Sequence, residues 1–262
     1  MLYNVKKLYY SDGIVDTRIY GHSIEYQNDK SVRIDDELEN RQRNFKDEEI
    51  RQLNQKRSLA RTKQSIYELC RNTEWEWFVT LTFNSEKINR YDYDEVTKKL
   101  SKWLNHLRTK NRQLKYIFVP EKHKDGAFHF HGLVSGLKDA KIEDSGHKDK
   151  GETIYNLNSY RFGYSTMTKV RDNTAVLHYI LKYITKEVCA ASEGRRRYWA
   201  SKNLERPKIV VEFLNPDDQC YMWQELADSA VYVNEIRNSF NEVLYLQNKL
   251  SEIAIDGTEE IC

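Results

Sequence analysis

His129, Phe130 and His131 form an HxH pattern inside the run AFHFHGLVSG, which is rich in aromatic and β-branched residues and is predicted to be a strand. Strand side chains alternate with a period of two. Both imidazoles therefore leave one face, and Phe130 leaves the other. Two histidines on one face suit metal ligation, although two histidines on a solvated sheet face would show the same pattern.

The preceding turn supplies a third donor. Lys124-Asp125-Gly126 joins this strand to LKYIFVPEKH, and glycine at the third position fits a three-residue hairpin loop closed in the left-handed region. That loop pairs His123 with Ala127 and Glu121 with His129, so Glu121 shares the histidine face. A two-residue loop would place Glu121 opposite Phe130 and disperse the cluster. Two imidazoles and a carboxylate leave open coordination positions, and this mixed nitrogen and oxygen set suits Mg²⁺ or Mn²⁺. Such an ion acts as a Lewis acid on a phosphoryl oxygen. His123 is a fourth ligand, a phosphate contact, or simply an exposed histidine beside a turn.

A second constellation follows. Residues 173–188 (NTAVLHYILKYITKEV) are predicted to be a helix capped by Asp172, Asn173 or Thr174. Tyr179 and Tyr183 lie one turn apart on one face, and Lys182 and Lys186 form an adjacent row. Val176, Ile180 and Ile184 are the expected buried stripe. A phenol is a nucleophile once it loses its proton, and a nearby ammonium favours the anion. By itself the pair is equally consistent with half-buried helix tyrosines. Arg195, Arg196 and Arg197 precede Tyr198 and Trp199, a combination in which cations meet phosphates and rings stack on unpaired bases. A basic loop with two core aromatics is the other reading.

The elements that must position these groups follow the chain. Residues 1–40 form a small β element with a hairpin signal at Asp12-Gly13, and 41–73 a basic helix. Trp75 to Asn84 is a central strand in which Thr80 and Thr82 are ordinary sheet residues. Tyr93, Val96, Leu100, Trp103, Leu104 and Leu107 recur at helical spacing. Residues 163–170 and Lys208 to Phe213 are further strands. The order β-α-β-β-β-α-β predicts an α+β domain over 74–213 with a central, mostly antiparallel sheet and flanking helices. Residues 214–262 form an acidic, partly helical tail, with a helical patch from Val231 to Leu250.

Composition narrows the function classes. The 262 residues carry 42 basic and 40 acidic side chains, with 5 Trp, 18 Tyr and 9 Phe, which excludes a disordered chain. Charge is locally uneven. Residues 161–210 hold eleven bases and four acids, whereas 214–262 hold two bases and ten acids. A polyanionic partner for the basic stretch is one reading, and an uneven solvated surface is the other. No apolar run is long enough to span a bilayer, and MLYNVKKLYY lacks a signal-peptide core. The four cysteines form no CxxC pair, which predicts reduced thiols and a cytoplasmic location. No GxxxxGK[ST] motif is present, so strand separation would fall to a separate helicase.

FVTLTF (78–83), VPEKHKDGAFHFHGL (119–133) and YILKYITK (179–186) together resemble the three motifs of rolling-circle replication initiators, the HUH endonucleases of plasmids and single-stranded DNA phages. The resemblance covers roughly residues 74–213 and implies an HUH (ferredoxin/RRM-like) core. It implies a divalent metal on His129, His131 and Glu121. It also implies nucleophilic attack by Tyr179 and Tyr183, assisted by Lys182 or Lys186, with a 5′-phosphotyrosyl intermediate. The histidines precede the tyrosines, as in replication initiators; in conjugative relaxases the tyrosine comes first. Implied partners are single-stranded DNA at a replication origin, a host helicase and a host polymerase, with no membrane. Competing readings are an HUH single-strand transposase, a non-catalytic RRM-like nucleic-acid-binding module, and a metal-dependent small-molecule hydrolase.

Overall fold

The computed structural model describes residues 1–25, 47–138, 141–192, 194–237 and 242–252. The expected segment 26–46 of the N-terminal element and basic helix lies outside the described residues. The chain divides into two units, one of residues 46–205 and one of residues 1–45 with 206–262. Both are built on antiparallel sheets, and the class is α+β.

The smaller unit contains β1 (Leu2–Tyr9), β2 (Ile14–Glu25), β10 (Lys208–Glu212), α5 (Pro216–Asp228), β11 (Tyr232–Arg237) and β12 (Glu242–Lys249), with sheet order β10-β1-β2-β12-β11. The Asp12-Gly13 turn joins β1 to β2 as expected, with Gly13 at φ +77°. Two expectations are corrected here. The strand Lys208–Glu212 pairs with β1, from Val5↔Glu212 to Tyr9↔Lys208, and so is not the last strand of the larger unit. Its pattern shows that it is a strand but not which edge it joins. Residues 231–250 are a hairpin, with Val233↔Leu246 and Glu235↔Leu244, because their β-branched and aromatic residues bury better in alternation than on a helical stripe. The helix lies earlier, where Asn215 caps it, Pro216 opens it and two acids occupy its first turn. Leu226 packs with Val5, Ile19 and Leu246. The buried Asn248 Nδ2 donates to Leu226 O at 2.7 Å, which ties β12 to the end of α5.

The larger unit contains α1 (Asp47–Arg71), β3 (Trp77–Phe83), α2 (Tyr93–Lys110), β4 (Lys115–Lys122), β5 (Phe128–Ser135), β6 (Ile142–Asp149), β7 (Glu152–Leu157), β8 (Gly163–Lys169), α3 (Asn173–Leu181), α4 (Lys186–Ala191) and β9 (Trp199–Ala200). Its sheet order is β6-β7-β8-β3-β5-β4-β9. Strand β5 inserts between the two ends of the β3–α2–β4 crossover, a split β-α-β arrangement. The β6–β7 hairpin has no counterpart in the sequence reading, because its polar run IEDSGHKD lacks the apolar alternation of a half-buried strand.

Alternation divides the two faces of this sheet. Val79, Leu81, Phe83, Phe118, Phe128 and Phe130 pack against Val96, Leu100, Trp103 and Leu104 of α2. Phe78, Ile117, Val119 and Leu133 leave the other face and pack against Ile66 and Leu69 of α1 and Leu177, Ile180 and Ile184 of the α3 region. Leu177 takes the buried place expected for Val176, which is half-buried. Among the described residues no helix is long and apolar enough to cross a membrane.

Candidate active site

The hairpin register is that of the three-residue loop. Gly126 N donates to His123 O at 2.9 Å, His123 N donates to Ala127 O at 2.8 Å, and Gly126 has φ +89°. Glu121 therefore pairs with His129, and Val119 with His131. Asp125 holds the turn by accepting from Ala127 N, the main reason its carboxyl titrates below the usual range. The result is that Glu121, His129 and His131 share one face, with Glu121 Oε2 2.7 Å from His131 Nε2.

Strand β3 presents a matching row. Thr80 pairs with His131 and Thr82 with His129, and each threonine Oγ1 lies 3.1 and 3.2 Å, respectively, from the Nδ1 of its partner. Thr80 and Thr82 therefore orient the imidazoles, a role that reading them as ordinary sheet residues missed. The available signal was the shared period, since TLT and HFH align position by position once their strands pair.

Burial holds both imidazoles below their ordinary pKa; His123 adds to this at His129, while the Glu121 hydrogen bond opposes it at His131. The rings are thus neutral near pH 7, and His131–Glu121 is a hydrogen bond of a neutral ring rather than an ion pair. In that state Nε2–H of His131 donates to Glu121 and Nδ1 accepts from Thr80. A hydroxyl both donates and accepts, so Thr80 also supports the other tautomer, in which Nε2 offers its lone pair. Among the described residues no three His, Cys, Asp or Glu side chains form a ready ligand cluster. The donor chemistry nevertheless fits a divalent ion, with two neutral imidazoles held through Nδ1 and a carboxylate on the same face.

The tyrosines meet this cluster. The Tyr183 ring stacks on His131 at 3.6 Å between centroids and 12° between planes. Tyr183 Oη donates to Tyr179 Oη at 2.8 Å. Phe78 of β3 packs edge-on to Tyr179 at 5.3 Å and lies 5.9 Å from His131, so it seats both. Burial, then the Tyr179 hydroxyl, raises the Tyr183 pKa well above the usual phenol range. Tyr179 is 44% exposed, and Lys182 Nζ lies 5.5 Å from its ring centroid.

The single helix expected over 173–188 is two. Asp172 caps α3 by accepting from Ala175 N, and Asn173 Oδ1 accepts from Trp75 N. After Leu181 the bonds shorten to the i−3 type, with Tyr183 N donating to Ile180 O at 3.2 Å, and Thr185 begins α4 by capping Val188 N. Tyr183 thus lies in the tightened turn between helices. Lys186 opens α4, and its side chain lies outside the described residues.

A groove of about 710 Å³ runs beside the pair, lined by Phe78, Thr80, His131, Tyr179 and Tyr183 and by Thr166, Thr168, Lys169 and Arg171. Its cations are Lys169 and Arg171, not the arginine run. Arg195 pairs with Asp94 at 2.9 Å, the Arg196 carbonyl accepts from Tyr93, and Arg197 bonds Ser58 and Thr62 of α1. These three residues precede the β9 edge strand and fasten the loop there, away from the groove. His123 stays close, with its ring 5.0 Å from that of His129.

Residues 76–188 match the family model of the replication-associated protein ORF2. This segment runs from the residue before β3 into α4 and contains every histidine, carboxylate and tyrosine of the cluster. It is less than half of the chain, and it supports a replication-initiator role. No curated protein and no solved structure gives a significant match.

Proposed function

We propose that this chain initiates rolling-circle replication of a plasmid or phage genome by HUH chemistry, as a metal-dependent enzyme that nicks and rejoins single-stranded DNA. The observation that carries the reading is the stacking of Tyr183 on His131, which puts two phenols beside two neutral imidazoles and a carboxylate on one face of the sheet. His129, His131 and Glu121 would hold Mg²⁺ or Mn²⁺. When bound, the ion polarises a non-bridging oxygen of the scissile phosphate. A tyrosine gives up its phenolic proton and its Oη bonds to phosphorus. The bond from phosphorus to the 3′ oxygen breaks, and that oxygen takes a proton to become a 3′-OH. One phosphodiester replaces another, so the reverse attack reseals the strand without ATP. Lys182, beside Tyr179, favours the phenolate by charge. The second tyrosine is placed to attack the junction regenerated after one round. Strand opening and synthesis fall to a host helicase and polymerase, and the chain acts in the cytoplasm.

A pool of random-sequence single-stranded oligonucleotides incubated with the chain and Mn²⁺ tests this. The expected result is a covalent adduct that survives denaturation, is lost with chelator, and is absent from the Tyr179→Phe, Tyr183→Phe double variant. An adduct that persists in the double variant would overturn the tyrosine assignment. Binding without any adduct would favour a nucleic-acid-binding module.

A further inference from the structure

Tyr164 stands on the functional face but takes no part in the cluster. It pairs with Thr82, Thr82 with His129, and His129 with Glu121, so four strands contribute one rung. Residues directly opposite in antiparallel strands share a face. Tyr164 therefore stands two strands from His129, about 10 Å away at the usual strand spacing. It is 75% exposed, more than any other aromatic among the described residues, and it makes no ring contact with them.

Its neighbours leave room above the sheet. Thr82, between Tyr164 and His129, is short, and its hydroxyl is engaged by the imidazole. The next rung is Thr166, Thr80 and His131, again short on the β8 and β3 side. The third rung begins with Thr168 and Phe78, where α3 covers the sheet through the Phe78–Tyr179 contact. The face on the β8 side of the histidines is thus floored by threonines and bounded by one upright aromatic ring. A tyrosine left in water there forgoes the burial that a planar apolar partner would provide.

On the reading that single-stranded DNA is the substrate, we propose that Tyr164 is the stacking platform for the unpaired base next to the scissile phosphate. An unpaired base has a π-face to offer, whereas a base in duplex is already stacked on its neighbours. Tyr164 is therefore a positioning residue. It holds the strand so that its phosphate lies over the His129–Glu121 rung, and it favours single strand over duplex. Because every base has a π-face, it does this with little regard to sequence.

The test uses the full chain in the Tyr179→Phe, Tyr183→Phe background, with a fluorescently labelled oligothymidylate and a duplex of equal length as probes. Tyr164→Ala is expected to weaken single-strand binding about tenfold, with Tyr164→Phe close to the parent and duplex binding unchanged throughout. A fluorescent purine analogue moved along the strand should be quenched at one position by the parent and by Tyr164→Phe, but not by Tyr164→Ala. Unchanged affinity and quenching in Tyr164→Ala would overturn the proposal, as would equal losses on both probes. If they are unchanged while the wild-type chain still forms its adduct, the platform is wrong and the nicking reading stands. If the wild-type chain binds no single strand, both fall.

Discussion

At the residue scale, the site depends on threonines that do no chemistry themselves. Thr82 and Thr80 hold the Nδ1 atoms of His129 and His131, which decides which nitrogen each ring turns toward the carboxylate. If these residues ligate the ion as proposed, Thr82→Val should weaken Mn²⁺ binding about 10–100-fold, as losses of such orienting partners do, with little change in stability. Isothermal titration with Mn²⁺, alongside thermal melting, measures both. The same imidazoles carry a pH dependence. Burial depresses their pKa in the folded chain below the ordinary 6.5, so the unfolded chain takes up protons first as the pH falls. The stability they contribute is present above that value and is lost as the pH drops through the depressed folded pKa. Urea midpoints should therefore fall between about pH 7 and about pH 5, and less steeply in a His129→Gln, His131→Gln variant.

At the element scale, two turns hold the geometry. Gly126 closes the β4–β5 loop at φ +89°, and that loop sets the register placing Glu121 beside the histidines. Gly126→Ala should cost about 1–2 kcal/mol in denaturant titrations, and Gly126→Asn less, because asparagine tolerates the left-handed region. The second turn separates α3 from α4. Thr185→Ala removes the α4 cap and should cost about 1 kcal/mol. Proton NMR of the tyrosine rings would show whether the Tyr183–His131 stack loosens with it. Between the histidines, Phe130 is fully buried on the opposite face, against α2. Phe130→Ala should cost about 3–5 kcal/mol, which would show that the strand carrying the site is anchored from behind.

Over the whole molecule, charge separates between the units. Residues 46–205 carry 31 basic and 21 acidic side chains, a net of +10. The remaining residues carry 11 and 19, a net of −8. The entire candidate site lies in the basic unit. Binding of a single-stranded oligonucleotide should weaken steeply with salt, with a log–log slope of about −0.7 for each phosphate contacted. Anisotropy titrations at several salt concentrations give that slope, and neutralising Lys169 or Arg171 in the groove should make it shallower.

The sequence by itself determined what depends on local spacing. Period-two alternation put His129 and His131 on one face, the glycine at 126 brought Glu121 to them, and the Asp172 cap began the tyrosine helix. These follow because a pleat, a left-handed turn and a helix cap are each set within a few residues. Only the tertiary structure decided which strands lie side by side. That choice put Thr80, Thr82 and Tyr164 in register with the histidines. It brought Tyr183 onto His131, tied the arginine run to α1 and α2, and sent Lys208–Glu212 to the sheet of the smaller unit. Pairing between distant strands is won by burial summed over a whole sheet, and no short stretch of chain encodes that sum.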